Sequence, residues 1–179
     1  MGLFDFFKRS SSSTAENRSY LDYAMGLNPG GKSVLVTPET ALSFSAVYAS
    51  VRVISETISQ LPFNYYKKTK AGREVFAESP LQFLVHDEPN ANQTKYVFFE
   101  TLINTLLLYG NSYAFIERDT RGLPIALTLM HPDNVQVKIK NNRVLYEVRN
   151  QGIYDSSDVI HVLDMTLDGF TGRSRIAAA

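Results

Sequence analysis

The sequence predicts an α+β domain in which long helices pack on an antiparallel meander. Three observations predict it. Apolar side chains recur at helical spacing in two long stretches ahead of Gly110, the hydrophobic period falls to two beyond Asn111, and the strand–helix–strand alternation that a parallel sheet needs does not occur. The composition is that of one ordinary globular domain with a real core: 179 residues, 44% hydrophobic and 20% charged. The 18 basic and 18 acidic side chains cancel, so the chain as a whole carries no electrostatic footprint for gripping nucleic acid. There is no cysteine, and His86, His131 and His161 are the three histidines. That removes disulfides, thiolate metal sites and cysteine nucleophiles together, and fits an intracellular origin.

Taken in order, residues 1–33 read as a flexible N-terminal arm. Leu3, Phe4, Phe6 and Phe7 precede Lys8 and Arg9, the wrong order and length for a signal peptide, and Phe6 stands where N-myristoylation needs Ser or Thr. These aromatics suit a short amphipathic anchor for a partner or a membrane, whereas the polar tract 10–14 behind them favours a mobile terminus. No stretch approaches the roughly 20 apolar residues of a membrane span.

The packed domain is expected over residues 34–173. A short extended run at 34–36 stops at Thr37 and Pro38, and a polar turn around Glu39 leads into a long helix. Val47, Val51, Ile54, Ile58 and Leu61 form its apolar stripe, with Arg52, Ser55, Glu56 and Ser59 opposite. Ser43 or Ser45 can cap it and Pro62 ends it. Phe63 and Tyr65 lead into a hairpin that turns at Ala71 and Gly72 and returns through Val75 and Phe76. Ser79 and Pro80 start a short helix. Thr94 caps a second long helix that carries Val97, Phe98, Leu102, Leu106 and Tyr109 inward and stops at Gly110. Strands follow at 113–118, 125–130, 135–140, 144–149 and 159–163, separated by turns at Arg121 and Gly122, at 132–134, and at Asn141 and Asn142. After a loop containing Gly169 and Gly172, Ser174 reads as the cap of a further helix. The chain stops at Ala179 one turn into it, which reads as part of something longer, with 174–179 the start of a truncated helix.

Gly26, Gly31, Lys32 and Ser33 satisfy the Gly-x-x-x-x-Gly-Lys-Ser pattern of a phosphate-binding loop, and Asp164 at the end of strand 159–163 imitates a magnesium-binding acid. The chemistry requires a buried strand before the loop and a helix after it. Residues 20–25 make no continuous apolar strand, and Pro38 interrupts the position of the helix. Gly26 and the Gly30-Gly31 pair therefore read as a linker. No other nucleophile, base and orienting group converge. His86, beside Asp87 and Glu88, suits a helix C-terminus; His131, before Pro132, a turn; His161, inside an apolar strand, a hydrogen-bonded core position. Lys67, Lys68, Lys70 and Arg73 cluster on one hairpin, and Lys138, Lys140, Arg143 and Arg149 on another with Glu147; both read as solvated faces. The residues assign no catalytic, cofactor, metal or DNA-binding side chain.

A resemblance adds to this. Residues 36–42 (Val-Thr-Pro-Glu-Thr-Ala-Leu), 45–49 (Ser-Ala-Val-Tyr-Ala), Arg52, Ile54, Glu56-Thr57-Ile58 and Leu61-Pro62 resemble the opening of portal proteins of the HK97-type siphophage family. Pro80-Leu81, Leu84, Pro89-Asn90, 99–102 (Phe-Glu-Thr-Leu), Tyr109-Gly110-Asn111, Tyr113-Ala114, Pro132-Asp133, Val135, Val137, Ile160-His161 and the loop Leu167-Asp168-Gly169-Phe170-x-Gly172-x-Ser174 continue it in the same order. Where family members usually carry Pro after that serine, this chain has Arg175. The resemblance implies a structural, non-enzymatic subunit without cofactor, whose wing-like domain precedes a stem helix. It also implies a ring of copies, usually twelve, at one capsid vertex of the virion, assembled in the bacterial host cytoplasm. The implied partners are the major capsid protein, the terminase large subunit, head–tail adaptor proteins and double-stranded DNA passing without sequence specificity. Two rival functions remain beside it: a P-loop nucleoside triphosphatase, and a non-enzymatic capsid or membrane adaptor.

Overall fold

The computed structural model describes residues 37–176, so the arm at 1–33, the run at 34–36, the phosphate-loop pattern and residues 177–179 lie outside the described residues. The described part begins with α1 (Pro38–Leu42), a short helix where the sequence suggests only a turn. Thr37 and Thr40 form it: the Thr37 Oγ1 accepts from the Thr40 amide while the Thr40 Oγ1 accepts from the Thr37 amide, a reciprocal capping box with Pro38 in the first turn.

The long helix α2 (Ser45–Ser59) ends ahead of Pro62 as expected, but its N-cap is Phe44, which makes no side-chain cap bond, instead of Ser43 or Ser45. Its buried face is also rotated from the apolar stripe. Ser55 and Ser59 are 0% exposed, whereas Ile54 and Leu61 are 42% and 52% exposed. Size decides here: small side chains let α2 lie close against the helix beneath it, and each serine hydroxyl satisfies itself on a carbonyl of its own helix, Arg52 and Glu56 respectively.

The strands β1 (Tyr66–Thr69) and β2 (Gly72–Val75) make the expected hairpin, Tyr66 opposite Val75. Ser79 caps α3 (Pro80–His86) through the Leu81 amide, and Thr94 caps α4 (Lys95–Tyr109) through the Val97 amide. Phe98 and Leu102 of α4 point inward as expected; Val97 is exposed, and Leu108 takes an inward place instead.

Six strands follow: β3 (Asn111–Arg118), β4 (Pro124–Met130), β5 (Val135–Lys140), β6 (Arg143–Val148), β7 (Gly152–Asp155) and β8 (Val159–Leu163). The antiparallel α+β class holds, and the strands divide between two sheets. Strands β5, β6 and β7 form a meander of their own, while β8 returns to pair with β3 on the side away from β4. The β5–β6 turn places Asn141 and Asn142 at φ 50° and 61°, the two-residue turn suited to strand twist. The short strand β7 is an addition to the expected set.

The alternation along β3 shows how the layers stack. Ala114 joins Leu84, Phe98, Leu102 and Leu127 in a core under the helices. Its neighbour Tyr113 faces the other way, into a second core with Met130, Tyr146, Val148 and Val159. The central sheet therefore has helices on one face and the β5–β6–β7 sheet on the other, which is why β3 is buried on both sides.

Candidate functional site

The most constrained place in the domain is a corner where α4 passes into β3 and the outgoing loop, residues 164–176, crosses over it. Helix α4 stops because Gly110 adopts φ 76°, a left-handed conformation closed by its amide on the Leu106 carbonyl. The loop lies directly on this turn. A Cβ on Gly110 would sit 2.3 Å from the Arg173 carbonyl carbon, and one on Gly172 would sit 1.8 Å from the Gly110 oxygen. Two glycines are needed because the two backbones touch.

Asn111 fastens the crossing. Its Nδ2 donates to the Gly172 carbonyl at 2.8 Å and its Oδ1 accepts from the Gly172 amide at 2.7 Å. The same Oδ1 accepts from His161 Nε2 at 3.1 Å, which leaves His161 Nδ1 to accept from the Tyr146 hydroxyl at 3.3 Å. One chain of bonds thus runs from the outer sheet through β8 to β3 and the outgoing loop. The His161 ring stacks on Tyr113 with centroids 4.3 Å apart. Burial holds the imidazole neutral, pushing its pKa down to about 4, and pushes the Tyr113 phenol up to about 12.

Further along the loop, Ser174 Oγ donates to the Leu108 carbonyl at 2.6 Å and accepts from the Ile176 amide at 3.2 Å, while the helix expected after it falls largely on residues outside those described. Asp164 N–H donates to the Gly110 carbonyl at 3.0 Å. Its carboxylate, only 9% exposed, takes Arg175 in a bidentate grip at 2.6 and 2.7 Å. Arg175 lowers the Asp164 pKa first of all by these hydrogen bonds. Between these anchors Asp168 Oδ1 accepts from the Phe170 and Thr171 amides, both at 2.8 Å, which shapes the turn and depresses its own pKa, the Thr171 side-chain bond contributing most.

The other residues singled out in the sequence do not gather here. His86 bonds the Phe63 carbonyl through Nδ1 at the end of α3, and His131 Nδ1 accepts from the Asp133 amide in the turn at Pro132–Asn134. Lys67 lies over the Phe76 ring at 4.9 Å on the exposed β1–β2 hairpin, and Lys138 pairs with Glu147 across β5 and β6. Among the described residues no group of His, Asp and Glu could hold a metal ion, and no helix is long and apolar enough to cross a membrane. The corner's long-range partners were not legible as such: the sequence marks Gly110 as a helix stop and Arg175 as a departure from the usual proline, and neither names Gly172 or Asp164 as a partner.

The described residues thus form a three-layer α+β domain in which residues 164–176 are clamped across the corner between α4 and β3. The chain belongs to the phage portal protein family, whose family model matches residues 45–179. It is 28% identical over 149 residues to the portal protein of Enterobacteria phage HK97, covering 80% of this chain and 35% of that one. It is 29% identical to the probable portal protein of Streptomyces phage phiC31, covering 80% and 34%. The chain thus spans about a third of the length of these curated relatives. Among solved structures, the neck of an empty gene transfer agent particle computed with C6 symmetry matches at TM-score 0.63 and 22% identity, over 83% of this chain and 43% of that one. An HK97-family phage portal protein from Corynebacterium diphtheriae matches at TM-score 0.53 and 21% identity, over 74% and 42%. At these identities the structures speak for the fold.

Proposed function

We propose that this chain supplies the wing-like part of a portal ring subunit, a structural component set at one vertex of a viral capsid around a channel for double-stranded DNA. The observation that carries this is the match to the portal family across residues 45–179, which takes in α2 to α4, both cores and the corner. The domain then runs over 34–173 and residues 174–179 begin the stem, with the corner fixing the direction in which the stem leaves. Such a role asks for no catalysis. A conduit must pass any sequence, so contacts with DNA go to phosphate and carry no base readout. The neutral overall charge suits a wing that faces other copies and the capsid wall, with DNA met elsewhere in the subunit. The partners are other copies in a ring, the major capsid protein, the terminase large subunit and head–tail adaptors, in particles assembled in the host cytoplasm. The rival nucleoside triphosphatase gains little support from Asp164, whose carboxylate is taken up by Arg175.

The test is to form particles from the capsid protein together with this protein, extended downstream to the length of its relatives, and to image them by electron microscopy. Density for the protein at a single vertex is expected. Particles in which it is absent or spread over the shell would overturn the reading.

A further inference from the structure

The outer sheet, β5 to β7, rests on the central sheet through apolar packing, in which Tyr146, Val148 and Val135 share a core with Tyr113, Met130 and Val159. Contacts of that kind carry little direction and do not by themselves tie one layer to a fixed point of the next. Among the described residues a single hydrogen bond joins a strand of the outer sheet to a strand of the central one: the Tyr146 hydroxyl with His161 Nδ1, at 3.3 Å. It leads straight to the corner.

The polarity of each link is set from the far end. Gly172 meets Asn111 with backbone groups only, a carbonyl that must accept and an amide that must donate. The Asn111 carboxamide therefore turns Nδ2 to the one and Oδ1 to the other. Oδ1 also faces His161 Nε2 at 3.1 Å, and only a protonated Nε2 can bond it. Burial keeps the ring neutral, so Nδ1 is bare and accepts from the Tyr146 hydroxyl. Hydroxyl, ring N–H and carboxamide N–H thus all donate in one direction, from the outer sheet to the loop, the arrangement in which each bond polarises the next.

We propose that Tyr146 and His161 are positioning residues that couple the outer sheet to the outgoing segment, setting through Asn111 how firmly Gly172 is held. A shift of the outer sheet then reaches the corner along these hydrogen bonds and loosens the clamp. Coupling is reciprocal, so a loosened loop frees the outer sheet in turn. It holds whatever assembly the chain enters.

The first test needs no variant. Nitrogen NMR of the full chain should show His161 as the Nε2–H tautomer alone; a mixture of tautomers would overturn the polarity on which the coupling rests. The second is Tyr146→Phe, which keeps the ring in its core and deletes only the hydroxyl. The Gly172 amide should then exchange about fivefold to tenfold faster, while the amides of Leu102 and Leu127 in the core under the helices keep their protection. In an Asn111→Ala background Tyr146→Phe should add nothing at Gly172, because the link between them is gone. Unchanged exchange at Gly172 in Tyr146→Phe, or the same acceleration with and without Asn111, would overturn the proposal. So would acceleration spread evenly over Gly172, Leu102 and Leu127, which would mean that the hydroxyl only stabilises the fold.

Discussion

The Asn111 carboxamide binds both backbone polar groups of Gly172, donating to its carbonyl at 2.8 Å and accepting from its amide at 2.7 Å, across 61 residues of sequence. A single side chain thereby fixes where the outgoing loop lies on the helix–strand corner. Asn111→Ala removes these bonds and leaves part-buried backbone groups without their partner, an expected loss of about 1–2 kcal/mol. Denaturant titration gives the stability loss, and hydrogen exchange should show the Gly172 amide losing protection before the cores do. Unchanged exchange at Gly172 would mean that the loop is held by other contacts.

The crossing itself should tolerate no side chain. Gly172→Ala puts a Cβ 1.8 Å from the Gly110 oxygen, and that oxygen belongs to backbone that already accepts from Asp164. Separation of the two segments is expected, at a cost of ~3 kcal/mol or more. Gly122→Ala is the control for glycine replacement: that residue also has positive φ, 79°, but open space around its Cβ position. It should lose much less, about 1 kcal/mol.

A pH dependence follows from His161. Its folded pKa, about 4, lies below the usual 6.5 because burial disfavours the cation. Between those values the unfolded chain binds more protons than the folded one, so stability is full above about 6.5 and falls as pH drops toward 4. Below the folded value the contribution levels off. His161→Gln should keep a donor for Asn111 and reduce the slope of melting temperature against pH within that window. The same slope in both proteins would show that carboxylates alone set it.

Much of the fold was legible because it depends on local chemistry. Thr94 and Gly110 bracket α4, Ser79 and Pro80 open α3, and Asn141 with Asn142 forms its turn, each through its own backbone preference. What was not legible depends on size or on distance. The inward face of α2 was misplaced because Ser55 and Ser59 are polar by type yet chosen for smallness, a property that hydrophobic periodicity does not weigh. Strand β7 was missed because Gly152–Asp155 has four residues and little alternation. The split into two sheets was missed because a period of two tells which face a residue takes and not which strand lies beside it. At the corner, Gly110 announced a helix stop, but nothing near Asn111 announces Gly172, and nothing near Asp164 announces Arg175.

That last pair separates the scaffold account from the nucleotide-binding one. With Asp164 gripped by Arg175, magnesium and ATP should leave the melting temperature unchanged, and Lys32→Ala should behave as the wild type. Arg175→Ala should lower the melting temperature by a few degrees, less so at high salt, where the pair is already screened. A nucleotide-dependent rise that Lys32→Ala abolishes would restore the phosphate loop to consideration.

The central claim is that this chain belongs to a subunit that closes into a ring, and closed assembly by rotation needs a discrete copy number. The most direct measurement is mass by light scattering on the protein extended downstream to the length of its relatives, over a wide range of concentrations. The account expects one large discrete oligomer whose mass is a fixed multiple of the subunit and does not drift with concentration. A monomer at every concentration, or an open series of growing assemblies, would contradict it.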